Sequence, residues 1–293
     1  MPHTVMFGNH KGGVGKSSVV VQTAAALARA GKRVLVVDMD PQASSSAYLG
    51  FVEDPDNPVP TISEALRSNE RGAGEGAVYP CGWVDDAGEP TPEASLIHLI
   101  PCRADFENRE VEAGQVGAVR RLRKALEGWT DKYDYVLIDT PPRLGHLTQM
   151  SMAASDAVII VTEPERDGTV AAFRFAEFVT EHAEDVTNPD LRLAGVVLNK
   201  KRRTAEHQQR SEDLQNYFQD LLWDLRTTED VPGIGERELS PTWLPGWSVF
   251  SNASSFKCSV SSLPGKQARQ IATAFDQIAR KLSEHFAEEE KAA

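Results

Sequence analysis

The segment KGGVGKSS, residues 11–18, lies between a short apolar run, Thr4–Phe7, and a helical pattern, Lys16–Ala30. Strand, glycine-rich turn and helix in this order form a typical phosphate-binding loop. The glycines let successive backbone N–H groups face an anion, and the helix N-terminus adds a favourable dipole. We expect Lys16 to reach the phosphates of a nucleotide and Ser17 to bind Mg²⁺. His10 replaces the first glycine of a strict P-loop. The candidate nucleotide-binding residues are Lys11, Gly12, Gly13, Val14, Gly15, Lys16, Ser17 and Ser18.

Short β-branched runs alternate with longer helical patterns along the rest of the chain. The predicted strands are Thr4–Phe7, Val34–Asp38, Leu96–Ile100, Tyr135–Asp139, Ala157–Thr162 and Leu193–Leu198. The predicted helices are Lys16–Ala30, Gly117–Leu126, Thr169–His182, Thr204–Trp223 and Lys266–Phe286. This alternation indicates an α/β fold, with a mostly parallel twisted sheet and helices on both faces.

The length of 293 residues and the 41% hydrophobic content suit a globular protein with a sizeable core. Two stretches interrupt the alternation, near residues 69–94 and 231–262, and both are rich in glycine and proline. Because regular strand–helix units continue on both sides, we interpret residues 1–293 as one domain with two surface insertions.

The charge balance is acidic, with 31 Lys and Arg against 43 Asp and Glu, for a formal net charge of -12. This excludes a uniformly basic nucleic-acid coat but leaves room for a local basic patch. Three scattered cysteines fit neither a disulfide framework nor a zinc site. The N-terminal residues lack the features of a secretory signal, and no apolar run approaches the length of a membrane span. We therefore expect a cytoplasmic protein without a membrane partner.

Acidic residues stand at the ends of two predicted strands. Asp38 and Asp40 follow the second strand in the sequence VVDMDPQ, and Asp139 ends the strand YVLID before TPP. Parallel sheets bind ligands at the carboxyl ends of their strands, where such carboxylates hold metal or water. Taken alone, Asp38 and Asp40 fit a turn or a helix cap equally well.

These three segments together resemble the ParA/MinD family of ATPases with a deviant P-loop. The resemblance implies that Lys11 crosses a dimer interface to the partner's nucleotide, and DMDPQ resembles the family's first switch. It further implies that Asp40 positions or activates the attacking water, while Asp38 and Asp139 support Mg²⁺. Lys11, Lys16 and Asp40 are thus the candidate catalytic residues, and Ser17, Asp38 and Asp139 the candidate metal residues.

The resemblance is to the ParA side of the family, in the small form without an N-terminal helix-turn-helix. It implies ATP and Mg²⁺ as cofactors, a homodimer with ATP, and DNA binding without sequence preference. A ParB-like centromere-binding partner would stimulate hydrolysis and release the DNA, so the ATP-bound protein is expected on the nucleoid.

A polar and basic run follows the last predicted strand of the sheet. Asn199 lies where the family binds adenine, although an Asn after a strand also fits turn chemistry. The candidate DNA-binding residues form the densest positive cluster, because phosphate contacts require Lys and Arg; they are Lys200, Lys201, Arg202, Arg203 and Arg210. A second group on a helical stretch, Arg120, Arg121, Arg123 and Lys124, fits a solvated helix face better.

Two relatives serve as alternatives. A MinD-like membrane-positioning ATPase needs a basic amphipathic helix at one terminus, but the last helix ends in Glu288, Glu289 and Glu290, so its apolar stripe fits core packing better. The nitrogenase iron protein needs a cysteine shortly after the strand ending at Asp139, and residues 139–156 contain none. A positioning or regulatory ATPase that binds a protein or membrane partner, and not DNA, remains the alternative function.

Overall fold

A computed structural model of the chain describes residues 1–54, 56–103, 117–231 and 235–292. Its strands are β1 (His3–Gly8), β2 (Val34–Asp38), β3 (Tyr79–Pro80), β4 (Ile97–Ile100), β5 (Tyr135–Asp139), β6 (Ala157–Thr162), β7 (Arg192–Leu198), β8 (Thr227–Val231) and β9 (Gly235–Ser240). Its helices are α1 (Lys16–Arg29), α2 (Ser44–Tyr48), α3 (Ile62–Ser68), α4 (Arg121–Leu126), α5 (His146–Ala154), α6 (Arg166–His182), α7 (Ala205–Phe218), α8 (Val249–Phe256) and α9 (Lys266–Ala292).

The main sheet has seven strands in the order β3-β4-β2-β5-β1-β6-β7. All neighbouring pairs are parallel except β3 and β4, which run antiparallel at the edge. The predicted α/β fold is confirmed. A separate antiparallel hairpin joins β8 and β9.

The sheet separates two apolar layers because successive side chains of a strand point to opposite faces. In β1, Val5 and Phe7 face a layer that contains α1 and α9, while Met6 faces a layer that contains α4, α5 and α6. All three side chains are fully buried. Continuous apolar strands are therefore required here, since neither sheet face meets water.

The strand order brings the candidate site residues together at the carboxyl ends of the central strands. β5 lies between β2 and β1, and the register pairs Asp139 with both Asp38 and Phe7. The carboxyl ends of these three strands therefore meet beside the loop that joins β1 to α1. This is the position at which open parallel sheets bind ligands.

The stretch near residues 69–94 is only partly a surface excursion. It contributes the edge strand β3, and Trp83 is buried with its indole N–H donating to the Tyr48 carbonyl at 2.7 Å. The stretch near 231–262, of which residues 232–234 lie outside the described part, contains β9 and α8. Both stretches therefore carry regular elements that their glycine and proline content conceals.

The predicted helix Thr204–Trp223 was wrong at its C-terminal end. α7 ends at Phe218, Gln219 has a φ of 50°, and the Trp223 N–H donates to the Val196 carbonyl at 3.0 Å. The indole of Trp223 packs against β7 where Gly195 has no side chain, because a Cβ there would lie 2.2 Å from the ring. A close tertiary contact thus overrides the local helical pattern.

Candidate nucleotide-binding site

The loop between β1 and α1 forms one wall of a cavity of about 910 Å³. Gly13 and Gly15 have φ values of 80° and 87°, which non-glycine residues rarely adopt. Gly15 is also required by space, because a Cβ there would lie 2.4 Å from Asn199 Nδ2. Gly12, Gly13, Gly15, Lys16, Ser17 and Ser18 all line this cavity, whereas Val14 is fully buried.

Lys16 begins α1 and is only 5% exposed. Burial lowers the pKa of its ammonium group, and the nearby charges of Asp139 and Asp40 oppose that shift. A lysine so buried is costly unless an anion neutralises it. The site is therefore built to receive a strongly negative group beside the start of α1.

Asp139 lies at the end of β5 and is fully buried. Its Oδ2 accepts a hydrogen bond from the Ser45 hydroxyl at 2.6 Å, whereas its Oδ1 has no hydrogen-bond partner among the described residues. Burial raises the pKa of this carboxyl, and hydrogen bonds from Ser17 and Ser45 and the charge of Lys16 oppose the rise. The carboxyl of Asp139 does not itself line the cavity, and its Oδ1 keeps an unused acceptor position within the described part of the chain.

The residues Asp38 and Asp40 take different positions. Asp38 is fully buried, and its carboxylate accepts the Ser46 N–H at 2.9 Å, the Ser46 hydroxyl at 2.7 Å and the Asp40 N–H at 3.1 Å. Burial and the charge of Asp139 raise the pKa of Asp38. Asp40 lines the cavity, with its Oδ1 accepting the Gln42 N–H at 3.0 Å. Only Asp40 therefore faces the space in which a ligand would bind.

Lys11 precedes the cavity-lining Gly12 but does not itself line the cavity, and its ammonium group is held by two carboxylates that follow β6. Its Nζ lies 2.8 Å from Glu163 Oε1 and 3.3 Å from Glu165 Oε2. Burial lowers the pKa of Lys11, but hydrogen bonds and charge from both glutamates outweigh that effect and the net pKa is raised. The side chain is still 24% exposed, so it is accessible from solvent.

Asn199 anchors the phosphate loop to the end of β7. Its Nδ2 donates to the Val14 carbonyl at 2.9 Å, and its Oδ1 accepts the Lys200 N–H at 2.9 Å. The side chain lines the cavity but is nearly buried. These contacts explain why Gly15 and Asn199 approach so closely.

The basic run after Asn199 does not form one continuous patch. Lys200 donates to the Gly13 carbonyl of the phosphate loop, and Lys201 donates to the His207 carbonyl at 2.8 Å. Burial lowers the pKa of Lys201, although the charge of Glu212 opposes the shift. The Arg202 side chain is exposed and lines the cavity, and Arg203 is exposed to solvent.

The remaining basic residues lie farther from the cavity. Arg210 on α7 pairs with Asp213 at 2.6 Å. On the second basic stretch, the Arg120 guanidinium donates to the Thr187 hydroxyl at 3.2 Å and the Lys124 ammonium donates to the Asn69 side chain at 3.2 Å. The structure thus does not join the two predicted clusters to each other.

Another part of the cavity lining comes from a segment that carries no sequence signal. Leu244 donates its N–H to the Leu198 carbonyl at 3.0 Å, and Lys201 donates its N–H to the Leu244 carbonyl at 3.0 Å. This pairing beside the end of β7 brings Trp247, Phe250 and several serines of α8 to the cavity. Aromatic side chains there offer a stacking surface for a planar ring.

Glu163 and Glu165 were missed by the sequence analysis, although a signal existed. Glu163 follows β6 directly and Glu165 lies two residues farther on, and ligands bind at the carboxyl ends of parallel strands. For Trp247 and Phe250 no comparable signal exists, since only a pairing between distant segments places them.

The apolar stripe of α9 packs in the core, as the sequence analysis favoured. Its members are fully or almost fully buried beneath the sheet: Ile271, Phe275, Ile278, Leu282 and Phe286. In the described ranges, no helix combines the length and the apolar character needed to cross a membrane.

Comparison with known proteins identifies the family of the chain. Residues 2–193 match the family described as AAA domain. The chain is 33% identical over 230 residues to the chromosome partitioning protein ParA of Myxococcus xanthus, covering 78% of this chain and 75% of that protein.

Two solved structures share the fold. A McdA variant from Cyanothece in complex with ATP has a TM-score of 0.77 at 18% identity, covering 96% of each chain. Cobyrinic acid a,c-diamide synthase from Mycobacterium smegmatis, with an ATP analog and magnesium bound, has a TM-score of 0.69 at 24% identity, covering 98% of this chain and 96% of that one. From the loop geometry, the matched domain and the similarity to ParA, we conclude that the chain is an ATPase of the ParA family.

Proposed function

We propose that this ATPase acts in DNA partition: it dimerises with Mg·ATP, binds DNA without sequence preference, and is reset when a ParB-like partner stimulates hydrolysis. The observation that carries this proposal is the position of Lys11. It directly precedes Gly12, which lines the ATP cavity, but Lys11 itself is not among the lining residues; it pairs with Glu163 and Glu165 and remains accessible from solvent. A lysine placed there is available to a nucleotide bound by a second copy of the chain.

Each residue of the ATP site has a separate role in this proposal. Lys16 and the loop amides between Gly12 and Ser17 neutralise and orient the phosphates, because buried positive groups stabilise negative charge strongly. Asp40 faces the cavity and orients the attacking water through its carboxylate. Asn199 keeps the loop in place, and the base stacks on the aromatic part of the cavity lining that contains Trp247.

The residues present fit Mg²⁺. Asp139 Oδ1 is buried without a hydrogen-bond partner among the described residues, and Ser17 is near enough to influence the pKa of that carboxyl. No cluster of three His, Cys, Asp or Glu side chains suited to a metal exists in the described ranges. Mg²⁺ commonly binds through one or two protein ligands plus phosphate oxygens, and when bound it neutralises phosphate charge. Ser17 and Asp139 would hold it, while Asp38 supports the loop through Ser46.

Non-specific DNA binding requires outward-facing cations. Arg203 is the most favourable candidate, with Arg202 beside it, and a dimer presents each of them twice. ATP-dependent binding of this kind places the protein on the nucleoid. The acidic net charge of -12 would then promote release when the dimer separates.

A second candidate function is a positioning or regulatory ATPase that binds a protein or membrane partner in place of DNA. One observation favours it: Lys200, Lys201 and Arg210 of the expected DNA cluster are engaged in contacts within the chain. Fewer of the five predicted cations are therefore available to contact DNA than the sequence predicts.

Two measurements test the main proposal. Light scattering with ATP and Mg²⁺ should show a dimer for the wild type and a loss of dimer for Lys11→Ala, with ATP binding to the monomer retained. Retention on non-specific duplex DNA across a salt series should require ATP. A wild-type protein that dimerises with ATP but is never retained on DNA would favour the second candidate.

A further inference from the structure

Consecutive residues of the basic run 200–203 point in different directions. The Lys200 ammonium contacts Gly13 in the phosphate loop, whereas the Lys201 ammonium contacts His207 and Ser211 on α7. Arg202, like Lys200, lines the cavity, and Arg203 is exposed to solvent. The run therefore divides its charge between the nucleotide cavity, the packing of α7 and the solvent.

The backbone of Lys200 is responsible for its direction. Its φ of 54° lies in the left-handed region, which is uncommon for a non-glycine residue and persists only where neighbours determine it. Two contacts do so: the Lys200 N–H donates to Asn199 Oδ1 at 2.9 Å, and the Lys201 N–H donates to the Leu244 carbonyl at 3.0 Å. The chain turns back over the phosphate loop at this point.

The surroundings of the Lys200 ammonium suit a phosphate ligand. Lys200 lines the cavity, and its Nζ lies 3.8 Å from Glu163 Oε2, beyond hydrogen-bond distance, in a long ion pair with a carboxylate that Lys11 shares at 2.8 Å. Lys200 remains 40% exposed, and its hydrogen-bond acceptor is a neutral carbonyl. An anionic oxygen is the stronger acceptor for an ammonium group, because charge-assisted hydrogen bonds exceed those to neutral partners.

We propose that Lys200 is a nucleotide-binding residue, whose ammonium group contacts the phosphate chain of bound ATP from the β7 side of the cavity, and that it does not contact DNA. The inference builds on the ATP site, and it depends on the partition proposal only where it removes Lys200 from the DNA surface. Lys200 then adds a cation to the phosphate site that the P-loop motif does not contain.

The test compares Lys200→Asn and Lys200→Gln with Arg203→Gln. Asn tolerates a left-handed backbone, so Lys200→Asn removes the charge while keeping the turn. We expect both Lys200 variants to bind ATP and ADP about tenfold more weakly by calorimetric titration, the effect of losing one charged hydrogen bond. At saturating ATP their retention on duplex DNA should equal that of the wild type.

The expected pattern for Arg203→Gln is the reverse. Its ATP affinity should be unchanged, and the slope of its DNA affinity against salt should fall by about one unit per site lost. Thermal unfolding without nucleotide verifies that each variant is folded. Lys201→Gln is the matched neighbour, expected to lose stability through its contacts with α7 while its ATP affinity stays close to the wild-type value.

Two results would overturn the inference. One is wild-type affinity for ATP and ADP in both folded Lys200 variants. The other is weaker DNA retention at saturating ATP in those variants with nucleotide affinity intact. Should the wild type itself fail to bind DNA, the partition proposal fails, and the nucleotide titrations still decide the role of Lys200.

Discussion

Lys11 Nζ lies 2.8 Å from Glu163 Oε1, so the lysine expected to reach a partner's nucleotide is bound within its own chain. Glu165, at 3.3 Å, supports the same arrangement from the start of α6. Lys11 and Glu163 are far apart in the sequence, since Lys11 follows β1 and Glu163 follows β6. Neighbouring parallel strands bring them together.

Replacing Glu163 with Gln should favour ATP-dependent dimerisation. The substitution removes a competing negative charge from Lys11 while keeping the side-chain size. A partly exposed ion pair contributes up to about 1 kcal/mol, so the ATP concentration for half-maximal dimerisation should fall by about two- to fivefold. Light scattering across an ATP series measures this. Glu181→Gln, on the exposed side of α6, is the control, and an unchanged midpoint in Glu163→Gln would contradict the restraining role of the ion pair.

Gly15→Ala should abolish nucleotide binding. The new Cβ would approach Asn199 Nδ2 to 2.4 Å, and the φ of 87° adds strain of about 1–2 kcal/mol for an L-residue. Gly88→Ala is the control for backbone strain away from the site, because Gly88 has a φ of 82°, has no atom within 4 Å of an added Cβ and does not line the cavity. Calorimetric ATP titration should show binding in Gly88→Ala and none in Gly15→Ala. Equal ATP affinities for the two variants would show that the contact with Asn199 is unimportant.

Asp40→Ala should trap the ATP-bound state. Asp40 faces the cavity while Asp38 is occupied by Ser46. Loss of a group that orients the attacking water typically lowers turnover by about 10²- to 10⁴-fold. Phosphate release under single-turnover conditions measures hydrolysis, and ATP affinity should persist. Wild-type turnover in Asp40→Ala would remove it from the reaction.

Asn199→Ala should weaken both the fold and the site. The substitution leaves the buried Val14 carbonyl and the Lys200 N–H without their partners, at a cost of about 1–3 kcal/mol in unfolding free energy. Because the phosphate loop loses its anchor, ATP affinity should fall as well. Denaturant unfolding and ATP titration test the two effects. Asn216→Ala, exposed on α7, should change neither quantity.

Stability should depend on pH through Glu64 at the start of α3. Burial raises the pKa of Glu64, but its hydrogen bonds with Thr61 and the charge of Arg103 outweigh burial, so the net pKa is lowered. A lowered folded-state pKa gives stability that is present above the unfolded-state value and is lost as pH falls. Between about pH 6 and about pH 4, the denaturant midpoint should drop less for Glu64→Gln than for the wild type. Glu70 is exposed, so Glu70→Gln should show the same fall in denaturant midpoint as the wild type. A fall of the same size in Glu64→Gln would contradict the role given to Glu64.

Local patterns were sufficient for the phosphate loop and for most of the sheet. The phosphate loop needs a left-handed backbone at positions 13 and 15, and glycine adopts it readily. Apolar runs such as Tyr135–Asp139 form strands because both faces of the sheet are covered. Element ends were less predictable, as Trp223 demonstrates, because its position depends on a contact with Gly195 on another strand.

The order of residues in the chain is enough to predict a phosphate-binding site at the start of the first helix. Residue type and spacing suffice there, since the loop, Lys16 and Ser17 are adjacent in the chain. The pairing of charged side chains depends on the folded arrangement: Lys11 pairs with Glu163, Lys200 contacts Gly13, and Lys201 contacts α7. Spacing cannot reveal such pairings, because side-chain direction depends on strand order and on the segment that pairs beside β7. Coulomb energies follow distance in space rather than separation along the chain.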